Sequence, residues 1–454
     1  MLKCLFSVFW YKTQRTAEKV EQRNVFFELP KSFRTFELIL DQQNVQSLHI
    51  AVIGGGAAGF MGAITAAETF PTAKVTIFEK SRNVLSKVKV SGGGRCNVTN
   101  AAPTLPELVK GYPRGAKFLR PLFEIFNNQH TIQWFESRGV ALKTEPDGRM
   151  FPTTDSSETI IDCLQQAAQR AGVEVRTSTG VNSIVVDGEQ FLLRLQSGEE
   201  LSVNRVLVTS GGHPQLSGYD WLATLGLDIE TPVPSLFTFN APKLPLKDLM
   251  GVSVGKVGVK LAGSKLTEAG PMLFTHWGVS GPAVLRLSAW GARELASKNY
   301  QFMSLINFTN QKPNEVQEQL TSMQRDVQWK GKFVPTQAPF GIPQRLWKQL
   351  VELANIPDTM RWADLPAKNL HRLVEQLTNF QLEVQGKTTF KDEFVTCGGV
   401  NLANLHPKTL ESRHVPGLFF AGEVLDIDGI TGGYNFQAAW TTAVIAGRSI
   451  GVEF

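Results

Sequence analysis

Leu48-His49-Ile50-Ala51-Val52-Ile53-Gly54-Gly55-Gly56-Ala57-Ala58-Gly59 is an apolar run that passes directly into G-x-G-x-x-G. The residues before Gly54 have strand character, and Phe60 to Phe70 is rich in helix-forming alanine. Strand, glycine turn and helix in this order spell a dinucleotide site. Gly54 permits the tight turn, Gly56 lets the backbone approach a pyrophosphate, and Gly59 lets the helix pack closely on the strand. Unpaired N–H groups in the first helical turn, around Ala57 and Ala58, would face the phosphates with about half a positive charge. A second strand, Lys74 to Glu79, ends in an acid about twenty residues further on. Glu79, with Lys80 beside it, is the expected contact for an adenosine ribose.

With 454 residues the chain has room for two or three domains, and its 42% hydrophobic and 19% charged composition is that of an ordinary soluble enzyme. The net charge of +5 is not gathered into a basic tract, so nothing calls for nucleic acid. Cys4, Cys96, Cys163 and Cys397 are far apart, without C-x-x-C or a Cys/His cluster, which argues against a disulfide framework, a dithiol centre and a metal site. Reduced thiols in the cytoplasm are expected. No apolar stretch is long enough to span a membrane. Residues 1–46 mix acids (Glu18, Glu21, Glu28, Glu37, Asp41) with Lys and Arg, and read as a poorly ordered extension or an upstream start; organelle targeting is the minority alternative.

Residues 104–170 read as mainly helical, with a turn inside Glu145 to Pro152. Short strands follow at 173–175, 180–186, 191–195 and 205–208, and turns at Asp187-Gly188 and Ser197-Gly198 predict a small β-meander. After Pro232-Val233-Pro234 the pattern changes to strands at 251–261 and 300–308 and amphipathic helices at 314–327, 343–354 and 367–380. Ser280 is placed to cap, and Pro282 to start, a helix running to about Glu294.

Three further strings carry a family resemblance: Ser91-Gly92-Gly93-Gly94-Arg95-Cys96-Asn97-Val98-Thr99-Asn100, Leu273-Phe274-Thr275-His276-Trp277-Gly278-Val279-Ser280-Gly281-Pro282 and Thr431-Gly432-Gly433-Tyr434-Asn435-Phe436-Gln437. From about residue 48 onward the chain closely resembles a family of bacterial and plastid-lineage NAD(P)/FAD-dependent oxidoreductases that includes the BaiN-like bile-acid flavoenzymes. The resemblance implies an α/β fold: a Rossmann-like FAD-binding domain of the two-dinucleotide-binding-domain flavoprotein type, with an inserted mixed β/helical domain. The expected division begins with an extension over 1–46. The FAD-binding domain is then built from two stretches of chain, 47–240 and 391–454, and the inserted substrate or lid domain occupies 241–390 between them.

By the same resemblance Ser91, Gly92, Gly93, Arg95 and Asn97 lie along FAD near the isoalloxazine, and Thr209 and Gly211 belong to a strand end that returns to the cofactor. The backbone of Val181 would meet adenine. Gly422 and Glu423, with Asp426 as second choice, would meet the ribityl chain, and Gly433, Asn435 and Phe436 would open the last helix toward the flavin. Two readings stand for Cys96, a redox or nucleophilic thiol and a small buried residue, the second preferred for want of a partner cysteine or histidine nearby. His276 and Trp277 belong either to a substrate pocket or to a packed strand-to-helix connection. The acid–base residue is unassigned, with His276 and Tyr434 as weak candidates.

The leading expectation is a FAD-dependent oxidoreductase moving hydride between flavin and a C–C or C–N bond of a small molecule. No second G-x-G-x-x-G is present for NAD(P)H, which would then dock transiently at the flavin. The alternatives are a flavin-dependent RNA-modifying enzyme and a non-catalytic flavin-binding regulatory protein. Enzymes of the RNA-modifying kind usually append a basic helical domain after the last flavin helix, which makes nucleic acid the less expected partner. Substrate, donor and oligomeric state are not specified.

Overall fold

The strand His49–Ile53 is aliphatic and buried from Ile50 onward, and a strand buried on both faces belongs inside a parallel sheet. It is the centre of five parallel strands in the order Leu418–Phe420, Arg205–Val208, His49–Ile53, Lys74–Phe78 and Glu174–Arg176. The computed structural model describes residues 48–388 and 395–452; the expectations for residues 1–46 lie outside them. Helix Ala57–Thr69 follows the first strand and is buried from Ala58 to Ala67, because the last helix, Tyr434–Ser449, covers it. Segments from both ends of the described chain therefore share one hydrophobic core, which runs from Ile50 to Leu227 and resumes from Val400 to Ile450.

A second core, from Phe237 to Val384, is built on a seven-stranded antiparallel sheet. Its order is Phe380–Gln385, Gln301–Asn307, Ser253–Leu261, Thr267–Phe274, Gly278–Ser280, Thr238–Asn240 and Lys387–Thr388. Helices Pro282–Trp290, Pro313–Arg325, Gln344–Leu353 and Ala367–Thr378 bury Val284, Leu287, Leu320, Leu346, Trp347, Leu350, Leu373 and Leu377 in it. The chain leaves the first core along Ile229–Ser235 and returns along Val395–Val400. These two segments pair antiparallel, with a bulge between Glu230 and Val233.

Several local expectations are corrected. The meander consists of Val181–Asp187, Gln190–Leu195 and Glu200–Val203. Arg205–Val208, read as its neighbour, instead joins the parallel sheet, because its Val206, Leu207 and Val208 need burial on both faces. The turn expected inside Glu145 to Pro152 is present, closed by the Gly148 amide on Glu145 O (2.9 Å), but what it leads into is a strand, Arg149–Pro152, paired with both Thr99–Asn100 and Leu142–Thr144. Ser280 lies at the end of a strand and caps nothing; Gly281 occupies the N-cap, and the helix breaks at Gly291 before resuming at Ala292–Ser297.

Two glycines of the opening motif have opposite structural roles. A Cβ on Gly59 would sit 1.9 Å from the Gly54 carbonyl oxygen, whereas one on Gly56 would meet nothing within 4 Å. Gly59→Ala is expected to cost about 3 kcal/mol of stability or to abolish folding, since neither the turn nor the helix can move aside. Gly56→Ala should stay within about 1 kcal/mol of the parent protein. Urea denaturation of both variants measures the difference.

Candidate functional site

Each glycine-rich segment is brought to the same place by an element that ends there. The first strand delivers Gly54, whose backbone, at a φ of 113°, lies so close to Thr209 that a Cβ would sit 2.5 Å from the Thr209 carbonyl oxygen. The Thr209 hydroxyl donates to the carbonyls of Ile53 (3.0 Å) and Gly54 (2.9 Å), tying two parallel strand ends together. Helix Ala57–Thr69 begins at Gly56 with no side-chain cap, which leaves its first amides to a ligand. Helix Tyr434–Ser449 likewise begins at Gly433, in left-handed backbone and without a side-chain cap. Both N-termini border a cleft of about 630 Å³ that Gly54, Gly56, Gly92, Gly93, Gly211, Gly422 and Gly433 line with bare backbone.

Side chains set the two ends of this cleft. At one end the Glu79 carboxylate accepts from the Gly55 amide (2.7 Å) and from the Ser81 amide and hydroxyl, which fixes it beside the phosphate turn. Lys80 lies next to it. Midway, Glu423 accepts from the Thr396 amide (2.9 Å) and pairs with Lys87 at 2.6 Å, joining positions 336 residues apart. At the other end Asn435 accepts from the Gly429 amide (2.8 Å) and donates to the Gly429 carbonyl (3.0 Å), closing the turn before the last helix. The Asn97 amide, oriented to suit its neighbours, accepts from Gly433 N–H (2.9 Å) and donates to Thr99 O (3.1 Å) and Met150 O (3.3 Å). Beneath it, Gln437 accepts from Thr99 (2.6 Å) and Thr131 (2.9 Å) and donates to Thr441 (3.0 Å), so a fully buried amide is satisfied.

The structure places Gly54, Gly56, Ala57, Ala58, Glu79, Lys80, Ser91, Gly92, Gly93, Asn97, Thr209, Gly211, Gly422, Glu423, Gly433, Asn435 and Phe436 on the cleft. It places others elsewhere. Gly59 serves the strand–helix contact. Arg95 points to Glu145 (2.7 Å) and lies over the Phe151 ring. Val181 packs against the first core in the meander. Asp426 pairs with Arg293 (3.3 Å), and burial pushes its carboxyl upward.

The three weak catalytic candidates also lie off the cleft wall. His276 is exposed and meets the Trp277 ring edge-on at 4.0 Å. Tyr434 turns its ring onto Tyr112, whose hydroxyl donates to the Tyr434 carbonyl. Cys96 has no exposed surface, and burial pushes its thiol up to about 12. Among the described residues, the ionisable side chains on the wall are Glu79, Lys80, Lys87, Arg149 and Glu423.

Sequence reasoning missed the far wall. Leu236, Thr238, Ser280, Leu285 and Thr388 come from the second core's side and face the glycine-rich segments. Leu236 follows Ser235, a hydrogen-bond partner of Asp428, which has no exposed surface. Arg114 donates to it through both Nε (2.5 Å) and Nη2, and the Ser235 hydroxyl donates at 2.6 Å. A further Arg114 N–H reaches the carbonyl of Ala289, at the end of helix Pro282–Trp290, at 2.6 Å. No motif marks this cluster, because its members stand 193 and 314 residues apart in pairs with Asp428.

Burial protects all three described thiols: Cys96, Cys163 and Cys397 are buried, and desolvation raises each, Cys397 to about 11. Thiolate is therefore scarce at pH 8. Iodoacetamide at that pH should leave these three unmodified in the folded protein and label them once urea is added, as peptide mass spectrometry will show.

A model of the HI0933-like protein Rossmann domain matches residues 48–449. Ribosomal RNA dihydrouridine synthase of Escherichia coli is 31% identical over 403 residues, covering 86% of this chain and 95% of that one. The 3-dehydro-bile acid delta(4,6)-reductase of Clostridium scindens is 29% identical over 410 residues, covering 88% and 98%. Among solved structures, a 3-ketosteroid delta1-dehydrogenase from Sterolibacterium denitrificans aligns over 88% of this chain and 98% of its own, with a TM-score of 0.46 and 13% identity.

Proposed function

From the premise that the chain belongs to the HI0933-like Rossmann family of FAD-dependent oxidoreductases, we propose that it reduces a carbon–carbon double bond conjugated to a carbonyl group, with NAD(P)H as donor. The observation that carries the cofactor part of this reading is the convergence of three distant glycine-rich segments and two uncapped helix N-termini on one cleft. The lining fits FAD. A Cβ at Gly56, Gly93 or Gly211 would meet no protein atom within 4 Å, so bare backbone faces the space, as close approach to a large ligand requires. Its volume is also within the range of cofactor sites.

In this reading Glu79 holds the adenosine ribose, the amides of Gly56 to Ala58 hold the pyrophosphate, and Glu423 with Lys87 borders the ribityl chain. Asn97, Gly433 and Asn435 present the last helix to the ring end. When bound, FAD supplies hydride transfer. The chain positions and shields: the opening helix turns partial positive charge toward the phosphates, and the last helix does the same for electron-rich ring oxygens. Nicotinamide would dock transiently in the same cleft. The division near residues 240 and 390 into a cofactor domain and an inserted substrate domain belongs to the same proposal.

The choice of bond rests on the two relatives' names. A delta(4,6)-reductase of a 3-dehydro compound and a synthase of dihydrouridine share one chemistry, addition of two hydrogens to an unsaturated carbonyl system. A small molecule is the leading substrate. A uracil ring in ribosomal RNA is the second reading, favoured by the relative at 31% identity.

The purified protein is expected to show a flavin absorption spectrum that bleaches anaerobically with NADH or NADPH and recovers when a conjugated ketone is added, the ketone gaining two hydrogens by mass spectrometry. Recovery with uracil-containing RNA and not with ketones would transfer the assignment to the second reading. A preparation without flavin would sink both. Glu79→Ala should weaken FAD retention by about tenfold, the loss of a charge-assisted hydrogen bond, as followed by flavin fluorescence on dilution.

A further inference from the structure

Leu236, Leu285 and Ile430 line the cleft, are only partly buried, and pack into neither hydrophobic core. They belong to three separate segments that the Asp428 cluster draws together. Leu236 lies between Ser235, which donates to Asp428 (2.6 Å), and Phe237, whose amide donates to the Ser288 hydroxyl (2.9 Å). The same Ser288 hydroxyl donates to the Leu285 carbonyl at 2.8 Å, placing the turn that carries Leu285 beside Leu236. Ile430 is two residues beyond Asp428, and its amide donates to Gly111 O (2.8 Å). Leu236 also holds a φ of 55°, a left-handed conformation unfavourable for a leucine. Strain of this kind persists where the surroundings over-determine it, and here the hydrogen bonds on either side do so.

A strained aliphatic side chain that joins no core and faces a cleft adds little to folding and has a ligand face to offer. We propose that Leu236, Leu285 and Ile430 form the substrate platform of the cleft, an apolar surface that accepts the flat, uncharged ring of a cyclic conjugated ketone. Thr431 lines the cleft one residue beyond Ile430 and supplies a hydroxyl for the carbonyl, whereas the Thr238 hydroxyl is spent on Thr388 O (3.1 Å). The lining agrees with the uncharged substrate class proposed above: the platform has no charge of its own, and the buried carboxylate behind it is consumed by Arg114 and Ser235. This assignment rests on the flavin-reductase reading above and adds to it the side chains that select the substrate.

The test uses the FAD-loaded full-length protein, with the visible flavin spectrum as the readout and 2-cyclohexen-1-one and uridine as probes. The parent protein should show a saturable spectral shift with 2-cyclohexen-1-one and none with uridine at equal concentration. Leu236→Gly should raise the apparent Kd for the ketone about tenfold, the loss of one aliphatic contact surface. Its thermal midpoint should match or exceed that of the parent, because glycine adopts this φ without strain. Leu236→Ala should weaken binding equally and melt below the glycine variant, since it retains a Cβ on left-handed backbone. An unchanged Kd in both variants overturns the platform. A parent protein that answers uridine alone, or neither probe, overturns the apolar substrate class. Loss of the flavin spectrum itself in the parent would instead bring down the cofactor reading on which the platform stands.

Discussion

A single buried carboxylate holds the geometry of the cleft. Asp428 is closed off from solvent, and an isolated charge there would cost several kcal/mol. Arg114 and Ser235 satisfy it, and Arg114 reaches on to the end of a helix of the second core. Burial pushes the Asp428 carboxyl upward while the guanidinium pulls it back. The consequence is positional. A buried pair of this kind is a weak source of stability compared with apolar packing, but its directional bonds admit few alternative arrangements. Here they tie the turn before the last helix to the strand that leaves the first core.

The glycine-rich lining of the cleft obeys a different constraint, the exposure of backbone. Two helices start on it without side-chain caps, leaving amides that a ligand must satisfy. Folding such a surface demands support from behind. The Gln437, Thr99, Thr131 and Thr441 network supplies it under the last helix, and the Thr209 hydroxyl supplies it under the first turn. Buried polar groups that are fully paired make a rigid floor, which suits a site whose contacts are mostly N–H groups in fixed directions.

The parallel-sheet half of the fold was legible because each step carries its own chemistry: aliphatic strand, glycine turn, alanine-rich helix, strand, acid. Seventeen residues expected to bind the cofactor do face one cleft. Others lie off its wall for identifiable reasons. Arg95, assigned through the family resemblance, and Asp426, the second choice beside Glu423, instead pair with opposite charges, Glu145 and Arg293. Cys96, inside the most distinctive motif, turns its side chain into the core, in keeping with its preferred reading as a small buried residue. The run Arg205–Val208 and the strand Glu200–Val203 are separated only by Asn204, so periodicity did not reveal which one completes the meander.

The sequence by itself determined the cofactor end of this protein, because a phosphate turn and its ribose acid are local objects built from neighbouring residues. It also marked the change of pattern after Pro234 and the family to which the chain belongs. Only the tertiary structure decided the opposite wall. Leu236, Leu285 and Ile430 have nothing in common as sequence, and they meet because a buried Asp428 binds Arg114 and Ser235 from distant segments. Hydrogen bonds and ion pairs of that range depend on the packed positions of whole elements, which no local pattern of residue types encodes.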